Sequence, residues 1–345
     1  MTSIAATAGA TLARMRTRRR NRGVIAVIGL AGLALLLFVV SLALETTLVD
    51  VFAVLSGLSE NAAVEFIVRD VRLPVAAQAV CVGCALGLAG TVFQRLLGNP
   101  LAAPELIGVS AGASLAAVAG IVLFAWGGPA ISAAALAGAL AGVALIYALA
   151  WRDGVDGYRM ILIGIGVTEL LMAVVVYLVA RAEIHDARAA MHWLIGSTGQ
   201  SGTGELYALI AALAILGPAT LALDRWLRTV ELGDDQARAL GLGVERARLA
   251  LIAVATGLVG FATAVAGPVA FVALVAGPVA QRLAGGARWG LVAAALFGAC
   301  LMLAADLVAR DLLPTPLPTG VVTGVVGAPY LLWVLTTSNR AGGAG

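Results

Sequence analysis

Runs of roughly twenty predominantly apolar residues recur ten times along this 345-residue chain. One such run is what an α-helix needs to cross the ~30 Å hydrocarbon core of a bilayer. The runs are Val24–Leu44, Val75–Leu97, Ile107–Phe124, Ile131–Ala150, Met160–Ala180, Leu206–Leu223, Leu249–Ala266, Val269–Leu283, Leu291–Val308 and Gly320–Thr336. Composition agrees: 61% of residues are hydrophobic and 12% charged, about half the charge of a soluble domain. Lipid must therefore be the solvent, and the fold class expected is an all-α integral membrane protein with ten transmembrane helices. The eighth run is short, follows Gly267-Pro268 and contains Gly277-Pro278. It reads as a broken helix, which is tolerated at membrane depth only where protein or a water-filled cavity satisfies the backbone.

Every basic residue is Arg, 22 in all. A phosphate-binding P-loop requires Lys, so ATP hydrolysis, if the chain depends on it, belongs to another subunit. Cytoplasmic segments carry an excess of basic residues. With the N-terminus inside and ten crossings, only Arg69, Arg72, Arg181, Arg188 and Arg310 fall outside, and all other arginines fall inside. Both termini are thus expected in the cytoplasm. The expected division is an Arg-rich tail over 1–23, a membrane domain over 24–336 and a second tail over 337–345. The first run is too long for a secretory signal core and reads as a retained helix.

Three polar connections stand out. Glu45–Leu73 mixes apolar and polar residues and is expected to lie along the outer surface. Arg181–Glu205 holds both histidines, His185 and His192, which read as ordinary surface residues. The longest inside connection, 224–248, reads as a short helix from Asp234, whose acids complement the helix dipole, then a Gly241-Leu242-Gly243 break and a second helix from Val244.

Few residues suggest chemistry. Cys81 and Cys84 form a C-x-x-C without a second ligand pair, and read as small apolar packing residues. Glu105 and Asp306 lie near span ends, where solvated or capping roles are expected. Glu169 lies about 15 Å into its helix at the helical rise, and an ionisable residue at that depth is a candidate pathway residue. G-x-x-x-G pairs at Gly83/Gly87, Gly108/Gly112, Gly138/Gly142 and Gly320/Gly324 allow close helix packing, mostly within the chain, with one left for a subunit interface. No catalytic set is present in the pattern, so the chain is not expected to be an enzyme, nor to bind a metal or cofactor itself.

Four ordered blocks carry a family resemblance. They are Arg72-Leu73-Pro74 with the stretch from Phe93-Gln94-Arg95 through Asn99-Pro100-Leu101 to Gly112-Ala113; Leu232-Gly233-Asp234-Asp235-Gln236-Ala237-Arg238-Ala239-Leu240-Gly241; Val265-Ala266-Gly267-Pro268-Val269-Ala270-Phe271-Val272; and Pro318-Thr319-Gly320 through Pro329-Tyr330 to Trp333. Together they resemble the FecCD-type permease subunits of ATP-binding-cassette importers for ferric siderophores, haem and cobalamin. The variant around Phe271 is most similar to the ferric catecholate siderophore branch.

The resemblance implies a type II importer: two ten-helix permeases, identical or homologous, around a central pathway in the cytoplasmic membrane. It also implies two ATPase subunits that hold ATP and Mg, and an extracytoplasmic substrate-binding protein; no nucleic acid is implied. It assigns ATPase coupling to Leu232, Gly233, Asp234, Asp235, Ala237, Arg238, Leu240 and Gly241. It places Arg72 and Arg310 at the binding-protein contact, and Asn99 and Leu101 beside the pathway or its gate, where Glu169 is added from helix depth alone. Two departures stand out. The arginine that often follows Arg-Leu-Pro is Val75, and the Pro-His or Pro-Gln usual after the Phe-Val-x-Leu block is replaced by Gly277-Pro278. Haem or cobalamin import, and a proton-coupled secondary carrier using Glu169, are the alternative readings.

Overall fold

The computed structural model describes residues 2–44, 47–57, 61–152, 157–285 and 287–342, and among these every regular element is helical. Residues 343–345 of the expected C-terminal tail, residues 45–46 and 58–60 of the Glu45–Leu73 connection, and residues 153–156 lie outside the described residues.

The N-terminal tail and the first span share one helix. Helix α1 runs unbroken from Thr2 to Ala43, because no proline interrupts an Arg-, Ala- and Leu-rich sequence of good helix formers. Its apolar part, Arg20–Ala43, is followed by α2 (Leu48–Leu55) and α3 (Ala62–Phe66). Thr47 starts α2 with a capping box: its side chain accepts from the Asp50 N–H, and its own N–H donates to the Asp50 carboxylate at 3.1 Å. Those bonds hold the Asp50 carboxyl below the usual carboxylate range. Val49, Phe52 and Phe66 are exposed, as expected of a segment lying along a surface. A π-helical stretch over Ile67–Arg72 leads into α4 (Leu73–Leu96).

Next come α5 (Val109–Phe124), α6 (Pro129–Ala150), α7 (Gly157–Arg181), α8 (Ile184–Ile195) and α9 (Thr203–Val230). The short α10 (Asp234–Ala239) precedes α11 (Val244–Ala266), α12 (Val272–Ala284), α13 (Ala287–Leu307) and α14 (Thr319–Gly342). Seven of the described helices are long and apolar enough to cross a membrane, and three expected spans are shorter apolar helices: Val109–Phe124, Val272–Ala284 and Thr319–Leu332. Val244 opens the long α11 rather than a second short helix. Similarly, α9 continues seven residues past Leu223, supported by the Asp224–Arg228 pair one turn apart.

Helices α4 and α11 are the most buried of the long spans, and α11, α12, α13 and α9 pack around α4. The G-x-x-x-G pairs explain how. Gly83 and Gly87 lie on the Gly298 and Ala294 carbonyls of α13, while Gly112 of α5 lies on Gly138 and Gly142 of α6. In each place a Cβ would meet backbone, so the helices touch main chain to main chain. Among the described residues, Gly324 of α14 instead has no neighbour within 4 Å of such a Cβ.

The break near the eighth span is not at Gly277-Pro278. The chain leaves α11 after Ala266, runs non-helically through Gly267 and Phe271, both with positive φ, and re-enters a helix that continues through Pro278. Pro278 lacks the N–H that would bond the Leu274 carbonyl. Gln94 of α4 supplies the missing donor, its Nε2 donating to Leu274 O at 2.9 Å. Gly277 is what lets Gln94 come so near, since a Cβ there would press on its side-chain oxygen.

Candidate functional site

Three regions collect the residues singled out by sequence. The first lies at the end of the bundle that carries α10. Gly233 and Gly241, both with positive φ, turn the chain sharply on either side of this helix. Ala237 is fully buried beneath it, and Leu242 N–H donates to Ala237 O at 3.0 Å. Asp234 and Arg238 are both paired within the chain, although Arg238 stays exposed. Asp234 binds Arg248 at 3.1 Å, and Arg238 bridges Asp235 at 3.4 Å and Glu245 at 3.8 Å. The segment around α10 presents to solvent Leu232 (53% exposed), Leu240 (68% exposed), the Asp235 carboxylate and part of Arg238. Two large aliphatic side chains standing out from a charged helical knob are an unsatisfied surface of the kind a protein partner covers.

Beside the knob is a cavity of about 670 Å³ lined by Arg95, Asn99, Tyr158, Ile161, Glu231, Gly233, Asp234 and Arg248. Asn99, expected at the pathway or its gate, is thus brought together with the expected coupling residues. Its carboxamide oxygen accepts from Leu101 N–H at 2.9 Å, which closes the turn after Gly98. Arg95, which sequence reasoning passed over, sits in this wall between two carboxylates of α9 and its C-cap, Asp224 at 2.9 Å and Glu231 at 2.6 Å.

The second region is at the opposite end of α4. Arg72 and Arg310, expected at the binding-protein contact, are both paired within the chain. Arg72 is 5% exposed; its Nη1 donates to Ser41 O at 3.0 Å and its Nη2 lies 3.5 Å from Asp311. Arg310 is partly exposed and pairs with Asp306 at 3.0 Å and with Asp311 at 3.4 Å. The reason is local. The π-helical stretches Ile67–Arg72 and Val308–Leu312 turn these arginines toward each other's elements, and a desolvated guanidinium takes the nearest carboxylate. Asp306 is likewise not a solvated cap. It is buried, and both Thr198 and Thr319 donate hydroxyls to it. Arg69, paired only one turn away with Glu65, is the more exposed arginine here.

Gln78 was also missed by sequence reasoning. Buried in α4, it donates to Ser201 O at 3.0 Å and accepts from Gly199 N–H at 2.8 Å. It thereby pins the 196–202 connection, whose Ser197 N–H and Ser201 hydroxyl bond the Ala266 and Val265 carbonyls where α11 breaks off. A broken helix at this depth is satisfied by protein, as it must be. The only signal in the sequence was a glutamine inside an apolar run.

The third region is α7. Its apolar window is only 11% buried, against 72% for α4. Glu169 is exposed on it, among exposed Leu162, Ile165 and Leu170, and Gly166 one turn earlier faces open space. Ile161 of the same helix lines the cavity, and Glu169 lies about 12 Å further along the axis at the helical rise. The structure therefore separates Glu169 from Asn99, and places His185 and His192 exposed on α8.

Comparison with known proteins gives this arrangement its context. The chain is 40% identical over 298 residues to the ferric enterobactin transport system permease protein FepG of Escherichia coli (strain K12), covering 86% of this chain and 89% of that one. It is 37% identical over 295 residues to the hemin transport system permease protein HmuU of Yersinia pestis, covering 82% and 87%. A solved metal-chelate-type ABC transporter in an inward-facing conformation superposes with a TM-score of 0.81 at 26% identity, over 90% of this chain and 98% of that one. The FecCD transport family matches residues 10–337, and the chain is a membrane protein belonging to that family of ABC importer permeases.

Proposed function

We propose that the chain is one permease of a ferric siderophore importer: ten transmembrane helices, both termini in the cytoplasm, paired with a second permease around a central pathway. The observation that carries the cargo is the 40% identity, over nearly the whole chain, to a ferric enterobactin permease. ATP and Mg are held by partner ATPases, which fits a chain without a single Lys. The α10 knob is the ATPase contact, with exposed Leu232, Leu240, Asp235 and Arg238 as its touching residues and Asp234 and Ala237 as its internal frame. The end bearing Arg310 and Arg69 receives the extracytoplasmic binding protein; Arg72 holds that surface in shape. The poorly buried face of α7 meets the second permease and the pathway. There Glu169, too costly to leave in lipid, takes part in selecting cargo charge.

The test is reconstitution in proteoliposomes with the copurifying ATPase and binding protein, followed by uptake of radio-iron-labelled catecholate siderophore. Uptake should require ATP and survive a proton ionophore. Uptake that ignores ATP and collapses with the ionophore would overturn the reading in favour of a secondary carrier. ATP-driven uptake of haem or cobalamin alone would overturn the cargo.

A further inference from the structure

Arg95 belongs to the last turn of α4, and its side chain is 8% exposed. Its Nε and Nη2 donate to the two oxygens of Glu231 at 2.6 and 2.9 Å, while Nη1 donates to Asp224 at 2.9 Å. Asp224 is held in turn by Arg228 of its own helix. Two cations and two carboxylates balance, and a guanidinium held at three points is fixed in orientation as well as distance.

What lies on either side gives the cluster its meaning. Glu231 caps the end of α9 two residues before Gly233, the corner from which α10 starts. Arg95 lies four residues before Asn99, and the turn between is closed by Asn99 N–H donating to Gln94 O at 3.0 Å. Short hydrogen-bonded turns thus lead from α10 to Glu231, and again from Arg95 to Asn99, with the ion pair as the joint. The adjoining cavity of about 670 Å³ gives both sides room to move.

We propose that the Arg95–Glu231–Asp224 cluster is the mechanical link that carries displacement of α10 to the connection bearing Asn99 and Leu101. Arg95 is a positioning residue, and the proposal rests on the importer reading above. An apolar side chain of similar length at 95 would keep the packing and lose the joint; Glu231→Gln would leave Asp224 on the guanidinium and remove the two-point grip.

The experiment measures cargo molecules moved per ATP hydrolysed by the full complex in proteoliposomes, for Arg95→Met, Glu231→Gln and the double variant. Each single change should lower that ratio about tenfold, and the double should be no worse than the worse single, since residues of one network do not act additively. Transport and hydrolysis falling in proportion, or an unchanged ratio, would mean a merely structural pair and would sink the link. Effects that multiply in the double variant would do the same. If Arg95→Met fails to assemble, Glu231→Gln decides on the same ratio. A wild-type complex without ATP-driven uptake would remove the importer reading itself, whereas a working wild type with unaffected variants removes only the link.

Discussion

Two glutamines show how single side chains hold this bundle together. Gln94 replaces the donor that Pro278 withholds from Leu274 O, and Gln78 pins the connection that closes the broken end of α11. Replacing Gln94 by Leu leaves a buried carbonyl unpaired, which costs about 1–3 kcal/mol. Thermal unfolding in detergent should show the loss, and Gly277→Ala, which pushes Gln94 away, should shift the same way. A variant as stable as the parent would show that water or rearrangement satisfies Leu274. At Glu169 the expected outcome is functional: Glu169→Gln should change the preference between anionic and neutral ferric chelates in competition uptake and leave copurification of the ATPase intact. Ferric chelates taken up in the parent's proportions would take Glu169 out of cargo selection. The apolar spans were legible because hydropathy is a sum over many residues. Gln78 and Gln94 were not, because a satisfied polar residue in a span is defined by partners 120 to 180 positions away.

At the scale of elements, α10 was readable from its acids and flanking glycines, while the roles within it were not. Sequence marks Asp234 and Arg238 as charged and therefore available, yet the fold pairs both within the chain and leaves Leu232 and Leu240 standing exposed beside them. Ala237→Pro removes the N–H that donates to Gly233 O at 2.9 Å, and proline in a helix interior costs about 3 kcal/mol. The protein should still insert, but stimulation of the ATPase by cargo-loaded binding protein should be lost. Leu240→Asp, which leaves the helix intact and only spoils its exposed surface, should weaken ATPase copurification. Normal stimulation in both variants would take α10 out of the contact. The π-helical stretches were invisible beforehand, since nothing in the composition of Ile67–Arg72 or Val308–Leu312 distinguishes an i→i+5 turn from an ordinary one. That missed geometry is why Arg72 was expected at the surface and is found beneath it.

Across the whole molecule, burial is uneven. Helices α4, α11 and α13 form the interior, while α7 and α14 keep large aliphatic residues such as Leu170, Val176, Val325 and Leu332 exposed. Gly324 points into open space on the same α14, as a small residue at a helix–helix interface would. Gly324→Leu should therefore leave each permease folded but lower the dimer fraction in native mass spectrometry. A dimer that survives Gly324→Leu undiminished would move the interface elsewhere.

Helix α1 ties its beginning to the far end of the chain. Arg22 donates to the carbonyls of Leu283 at 3.2 Å and Arg282 at 2.7 Å, and Leu30 O accepts from Cys300 Sγ at 3.4 Å. These partners follow α1 by some 260 to 270 positions, which at ribosomal speeds of about 5–20 residues per second is a delay of roughly 15–50 s. Helix α1 must therefore hold its place in the bilayer without these partners until α12 and α13 are made. Its mean hydropathy of 2.9, the highest of the seven long spans, suits it to that wait, and assembly of the permease closes only when the last quarter of the chain has been translated.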